Sequence, residues 1–271
     1  GIMFTGSTET AKIIQRSLAE REGEIIPFIA ETGGQNCMLI DSSSLPEQVI
    51  VDVVDSAFGS AGQRCSALRV LFLQEDVADT MIEMLVGAMR SLNVGDPSLI
   101  STDIGPVIDE GSHDILQAHA KRMKKEAKLL YEVELDASTR KGSFFAPVAF
   151  EIDSIKMLER EVFGPILHVV RYKTSELDQV IDEINGSGYG LTFGVHSRIG
   201  HTVAYLQKRM QVGNMYVNRN MVGAVVGVQP FGGEGLSGTG PKAGGPNYLP
   251  RLCVERTISI NTTASGGNAT L

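Results

Sequence analysis

The chain has 271 residues, of which 42% are hydrophobic and 21% charged, and its formal net charge is −8. That length allows one large or two ordinary domains with a sizeable core, and the acidic balance argues against a nucleic-acid partner, which needs a basic face. Three cysteines stand far apart without a C-x-x-C pair and five histidines are scattered, so neither a metal site nor a disulfide framework is expected, and a reducing, cytoplasmic setting fits best.

In chain order, Ile2 to Phe4 reads as the end of a strand and Gly6-Ser7-Thr8 as the opening of a helix that runs to about residue 21. A first residue inside strand-like sequence suggests a piece of a longer protein. A strand over 25–30 leads to Glu31, and a short one follows at 38–40. Ser44-Leu45-Pro46-Glu47 is read as a helix start, with Ser44 as cap, Pro46 in the first turn and Glu47 closing a capping box. That helix carries Val49, Ile50, Val53, Val54 and Ala57 at helical spacing and fades at Phe58-Gly59.

A strand over 66–74, a helix over 77–92 and a helix over 110–127 come next. Strands are predicted at 129–135, 147–152 and 166–171, then a helix at 176–184, a strand at 191–196, a helix at 201–210 and a strand at 215–217. The basic run Lys121, Arg122, Lys124, Lys125 and Lys128 falls on the 110–127 helix and its end, and reads as a solvated face. From Gly227 glycine and proline are dense, residues 252–260 alternate like a strand, and 261–271 form a small polar tail. Alternating strands and helices predict an α/β fold with a largely parallel sheet. No apolar run reaches membrane-spanning length, and no secretory signal is seen at the start.

Three short segments carry chemistry. Gly62-Gln63-Arg64-Cys65-Ser66-Ala67-Leu68-Arg69 places a cysteine at a loop before an apolar strand, flanked by residues that do not read as core. Cysteine is often a small buried hydrophobe, and that reading fits Cys37 and Cys253, but Cys65 is in the setting of a nucleophile, which needs an electropositive, semi-exposed turn. Glu31-Thr32-Gly33-Gly34 puts a carboxylate at a strand end beside two glycines; alone it would be a solvated loop acid, yet the glycines allow a close backbone approach. Glu161-Val162-Phe163-Gly164-Pro165 is either an acidic turn with a core aromatic or part of a binding site. Gly6 and Ser7 are either an ordinary N-cap or an anion site at a helix N-terminus. Gly233-Glu234-Gly235-Leu236-Ser237-Gly238 matches the dinucleotide G-x-G-x-x-G, but no strand precedes it and Thr239-Gly240-Pro241 cannot continue as a helix, so that reading is rejected.

In this order and spacing, the Glu31, Cys65 and Glu161 segments resemble the aldehyde dehydrogenase superfamily. The loop from Gly223 through Ala224 to Phe231-Gly232-Gly233, the segment 232–248 and Ile258-Ser259-Ile260-Asn261-Thr262-Thr263 are similar to the 1-pyrroline-5-carboxylate dehydrogenases, above all to the dehydrogenase half of the bifunctional proline utilization A family, over essentially the whole chain. The resemblance implies an aldehyde-dehydrogenase-like catalytic domain with a parallel sheet, preceded by the last strands of a truncated NAD-binding domain: 1–33 as remnant, 34–235 as catalytic domain and 236–271 as return segment, oligomerisation strand and tail.

It also implies roles. Cys65 is the nucleophile and Glu31 the general base. Glu161 holds the nicotinamide ribose, Phe163 packs beside the nicotinamide, and Gly6 and Ser7 meet the cofactor pyrophosphate. Ser66, Gly223 and Ala224 hold the substrate carboxylate, with Phe231 as an aromatic wall. The implied activity is NAD-dependent oxidation of L-glutamate γ-semialdehyde to L-glutamate. The family's oxyanion asparagine and its adenosine-ribose lysine lie upstream of residue 1, so the chain alone is expected to be almost inactive. The other implied partners are upstream domains, with FAD in one of them, and a second subunit met through 252–260. A cofactor-free thiol hydrolase, an aldehyde dehydrogenase for another aldehyde and a non-catalytic oligomerisation module remain alternatives.

Overall fold

A computed structural model describes residues 1–225, 227–261 and 263. Two parallel strands, β1 (Ile2–Thr5) and β2 (Phe28–Glu31), are joined through helix α1 (Thr8–Glu20) and pair in register from Ile2↔Phe28 to Thr5↔Glu31. Ser7 caps α1 by accepting from the Thr10 N–H at 3.1 Å. Pro27 donates no ladder hydrogen bond, and β2 starts after it, later than the 25–30 pattern suggested.

The main sheet is built from β3 (Cys37–Ile40), β4 (Val70–Gln74), β5 (Lys128–Glu132), β6 (Val148–Glu151), β7 (Ile166–Tyr172), β9 (Thr192–His196) and β10 (Asn214–Val217). Their spatial order is β10-β9-β3-β4-β7-β6-β5, parallel throughout except for the antiparallel edge pair β5–β6. The inner strands β3, β4 and β9 are buried along their whole length and read as apolar runs, as expected of a parallel sheet covered on both faces. The connecting helices are α2 (Pro46–Phe58), α3 (Glu75–Met89), α4 (Glu110–Glu126), α5 (Leu177–Gly186) and α6 (Gly200–Arg209). Two-residue strands β8 (Tyr189–Gly190) and β11 (Glu234–Gly235) pair antiparallel.

The rejected glycine match has a structural task. Its segment returns beside β2, with Thr32 N–H donating to Ser237 O at 3.1 Å, Thr239 N–H to Ala30 O at 2.9 Å and Thr32 Oγ1 to Leu236 O at 2.6 Å. It therefore stitches the β1–β2 sheet to the β8–β11 pair. The site forms where the C-terminal end of β2 faces the chain that enters β4 and β7.

Several sequence expectations are corrected. Ser44 does not cap α2: Leu45 occupies the cap without a side-chain bond, and Ser44 Oγ donates to Asp41 O at 2.8 Å. The turn competes for the hydroxyl and wins, while Pro46 does open the helix. Strand β4 starts at Val70 rather than 66, because Ala67 N–H closes a turn onto Arg64 O at 3.0 Å. Cys37 is buried, but Cys253 is exposed rather than core. Residues 250–252 form a single 3-10 turn, and 253–260 make no ladder among the described residues. Val254, Ile258 and Ile260 there are 93%, 69% and 77% exposed; the alternation is real, but the single chain offers it no surface. Most of 261–271 lies outside the described residues. The basic run is a solvated face, with Arg122 paired to Glu126 and Lys128 to Glu151. No helix among the described residues is long and apolar enough to cross a membrane.

One buried polar pair contributes to the loss of stability in acid. His168 of β7 places Nδ1 3.1 Å from Arg69 O and Nε2 2.9 Å from Nε2 of His119 on α4. A carbonyl only accepts, so His168 donates from Nδ1, accepts at Nε2, and His119 donates. Both rings are neutral, and burial lowers His168 to about 3 and His119 to about 4. Unfolded histidines protonate near ~6.5, so the unfolded chain gains protons first and stability falls as pH drops from about 6.5 towards those folded values. Between pH ~6.5 and ~4.5 a His119→Gln/His168→Gln variant should lose less melting temperature than the wild type; an equal change in both contradicts the assignment.

Candidate active site

Helix α2 ends into a turn, Gly59–Gly62, in which Ser60, Ala61 and Gly62 all have positive φ (56°, 53° and 63°). Left-handed backbone at two non-glycine residues is costly, and such strain is held only where surrounding structure over-determines it. Gly62 is required: a Cβ there would stand 2.3 Å from Gly164 O. The turn delivers Cys65, which is half-buried. Asn36, buried just before β3, donates from Nδ2 to Cys65 O at 2.6 Å and to Ala67 O at 2.9 Å, and accepts from Thr192 N–H at 3.2 Å. It fixes the cysteine loop to the ends of two strands.

Of the two arginines near Cys65 in sequence, Arg64 turns away to Ser60 Oγ at 2.9 Å. Arg69 is 1% exposed and lies beneath the loop. Its Nη1 donates to Gly62 O (2.7 Å) and Gly164 O (3.1 Å), its Nη2 to Arg64 O (3.3 Å) and Glu161 Oε1 (3.1 Å), and its Nε to Glu161 Oε1 (3.3 Å). Its Cζ lies 5.1 Å from the centre of the Phe163 ring. Glu161 Oε2 accepts from Gly34 N–H at 3.1 Å. A Cβ at Gly33 would stand 1.7 Å from that oxygen, so only glycine leaves room for the carboxylate.

Glu31 ends β2. Both carboxylate oxygens are buried without a hydrogen-bond partner of ordinary geometry. Burial pushes its carboxyl up to about 7, against the smaller opposing effects of the Gly233 N–H and the Lys242 charge. Such an acid can exchange a proton near neutrality. Burial also raises the Cys65 thiol, helped by the Glu161 charge; the N–H groups of Ser66 and Cys65 and the Arg69 charge act the other way. The expected electropositive setting is therefore only half present.

Cys65, Glu31, Glu161, Phe163, Phe231, Gly6 and Ser7 converge on one cavity of about 600 Å³. Ser66, Gly223 and Ala224 do not line it. Ser66 is 2% exposed and its Oγ accepts from Gly223 N–H at 3.1 Å, so these two expected carboxylate donors engage each other. Val226 of the same loop lies outside the described residues. Sequence reasoning missed Asn36, the burial of Arg69, and Glu9 and Tyr189 in the cavity wall. A lone polar residue before an apolar strand was the only available signal for Asn36. The cavity suits a dinucleotide: a capped helix N-terminus at Ser7, an aromatic ring at Phe163, and at Glu161 an oxygen, Oε2, with one hydrogen bond and acceptor capacity left. Among the described residues no group of three His, Cys, Asp or Glu side chains could hold a metal.

Comparison with known proteins places this geometry. The aldehyde dehydrogenase family model matches residues 1–258. The chain is 56% identical over 264 residues to the bifunctional protein PutA of Klebsiella aerogenes, covering 94% of this chain and 20% of that protein. It is 37% identical over 263 residues to the 1-pyrroline-5-carboxylate dehydrogenase of Geobacillus thermodenitrificans, 95% of this chain and 50% of that one. A crystal structure of bifunctional proline utilization A superposes with a TM-score of 0.94 at 59% identity, covering 98% of this chain and 27% of that one. The 1-pyrroline-5-carboxylate dehydrogenase from Thermus with bound NAD gives 0.86 at 32% identity, covering 93% and 49%. The chain thus spans about a fifth of the curated PutA relative and half of the shorter dehydrogenase.

Gly33 supplies a direct test. Gly33→Ala must displace the Glu161 carboxylate or shift β2, and overpacking of this kind costs about 1–3 kcal/mol. A melting temperature several degrees lower is expected, whereas an unchanged one would show that the cradle is not close-packed.

Proposed function

The chain belongs to the aldehyde dehydrogenase family, and from that premise we propose that its site oxidises L-glutamate γ-semialdehyde, the open form of 1-pyrroline-5-carboxylate, to L-glutamate with NAD⁺. The observation that carries the reading is the convergence of Cys65, Glu31, Glu161 and Phe163 on a single cavity.

The Cys65 thiolate adds to the aldehyde carbon, forming a C–S bond and a thiohemiacetal oxyanion. The Cys65 N–H is one donor to that oxygen. Glu161, Phe163 and the α1 N-terminus at Gly6 and Ser7 would hold NAD⁺, which would supply the hydride acceptor. The acyl group then remains on Cys65 Sγ as a thioester. Glu31 takes a proton from water, the hydroxide adds to the thioester carbonyl, and collapse breaks the C–S bond to release the Cys65 thiolate and the new carboxylic acid, whose proton passes to solvent. Passing through the thioester divides one difficult oxidation into two easier steps.

Ser66, Gly223 and Ala224 serve as the substrate-carboxylate site once the loop admits the ligand, with Phe231 against the carbon chain. Their mutual hydrogen bond supports a loop that must open first. By the family resemblance, one oxyanion donor and the adenosine-ribose contacts belong to sequence that precedes residue 1 in the relatives. The chain alone therefore turns over poorly, and activity requires those upstream residues. Residues 1–33, 34–235 and 236–271 are the three units of the proposal.

Among the described residues no histidine lines the cavity, which weighs against a cofactor-free thiol hydrolase. The exposed Val254, Ile258 and Ile260 support a second role, in which 252–260 adds a strand to another copy of the chain. An FAD-bearing upstream domain, which the family resemblance implies, would belong to a longer protein and not to these residues.

The test is NADH formation with the semialdehyde, on this chain and on the chain joined to the upstream residues of its relatives. Only the joined form should turn over, and Cys65→Ala should abolish its activity. Glu31→Gln should slow deacylation by about 10²–10⁴. Because Glu31 works as a carboxylate with a pKa of about 7, deacylation should rise with pH through that value and level off above it. An inert joined form, or turnover that survives Cys65→Ala, overturns the reading.

A further inference from the structure

A fully buried arginine is rare unless its charge and donors are satisfied. Arg69 uses all five N–H donors on four acceptors: the backbone carbonyls of Gly62, Arg64 and Gly164 and the Glu161 carboxylate. Those acceptors lie on the two segments that carry Cys65 and Phe163. The guanidinium thus pairs with an acid that borders the same cavity as the thiol, and it is bonded to the loop that carries that thiol. The Glu161 charge disfavours the Cys65 thiolate, and the Arg69 charge favours it. Burial works against the ionised Glu161 as well, and Arg69 is the leading effect that opposes it.

We propose that Arg69 is a positioning residue for the Cys65 chemistry, which holds the cysteine loop and the Glu161 loop as one unit and screens the Cys65 thiolate from the Glu161 carboxylate. The inference rests on Cys65 being the reacting thiol and needs neither the aldehyde nor the cofactor assignment. Arginine suits the task because its rigid planar fork reaches several acceptors at once; the lysine ammonium is a point charge on a flexible stem. A screen also resolves a conflict in the site. The carboxylate proposed for the ribose has to lie beside the nucleophile, and without a buried cation it would hold the thiol in its unreactive form.

The experiment is the pH dependence of Cys65 alkylation by iodoacetamide, read by peptide mass in a Cys253→Ser background that removes the exposed thiol. It is run on this chain without aldehyde or cofactor, so its failure is separate from failure of the dehydrogenase reading. Glu161→Gln should lower the midpoint and Arg69→Gln should raise it, with the rate below the midpoint changing roughly tenfold per pH unit of displacement. Arg69→Gln/Glu161→Gln should return towards wild type, a suppression that a purely architectural role would not produce. Arg69→Lys should keep the midpoint near wild type while lowering the melting temperature, because it retains the charge and loses the fork. If the double variant is as slow as Arg69→Gln, or if Arg69→Gln leaves the midpoint unmoved, the screen is refuted. Should Arg69→Gln fail to fold, Arg69→Lys decides: a midpoint near wild type upholds the screen, and a raised one overturns it.

Discussion

A guanidinium taken out of water must find acceptors for five N–H groups, and a shortfall would cost several kcal/mol. At Arg69 the acceptors come from the turn after α2, the cysteine loop and the segment before β7. None of these segments is held in place by sheet ladders. Their relative positions follow from satisfying one buried cation, and with them the positions of Cys65, Glu161 and Phe163. Strands β3, β4 and β7 supply the rigid floor; Arg69 and Asn36 attach the reactive loops to it.

Close approach is the second constraint. A side chain at Gly62 would strike Gly164 O, one at Gly33 would strike the Glu161 carboxylate, and one at Gly232 would stand 2.7 Å from Glu31 Oε1. Gly33 and Gly232 each let a carboxylate sit against backbone, and Gly62 lets two backbone segments close on one another. The result is a cavity wall in which a carboxylate can be buried without a partner, as Glu31 is, and so keep a pKa near neutrality. The same burial raises the thiol, which makes the surrounding charges decisive for Cys65.

The fold class and the convergent residues were legible in the sequence because they rest on local patterns. Apolar runs such as Met38-Leu39-Ile40 and Val70-Leu71-Phe72-Leu73 became inner strands, and Glu31, Cys65, Glu161 and Phe163 sit in short motifs whose order carried the family resemblance. What was not legible depends on contacts between distant residues. Arg69 read as one of two adjacent charges, yet only the fold shows that it is buried and that Arg64 is not its equivalent. Ser44 had the right spacing for a cap and was taken by Asp41. Residues 252–260 alternate correctly but find no ladder in one chain. Ser66 and Gly223 were each identified, but their bond to one another was not, because nothing local links residues so far apart.

In the proposed reaction Cys65 carries the acyl group and Glu31 releases it. The most direct measurement is peptide mass analysis of the Glu31→Gln form of the chain joined to its upstream residues, quenched after a single turnover with the semialdehyde and NAD⁺. The account predicts a glutamyl adduct on Cys65 alone, long-lived in the variant and fleeting in the wild type. NADH release with no adduct on Cys65, or an adduct that decays at the wild-type rate without Glu31, would contradict it.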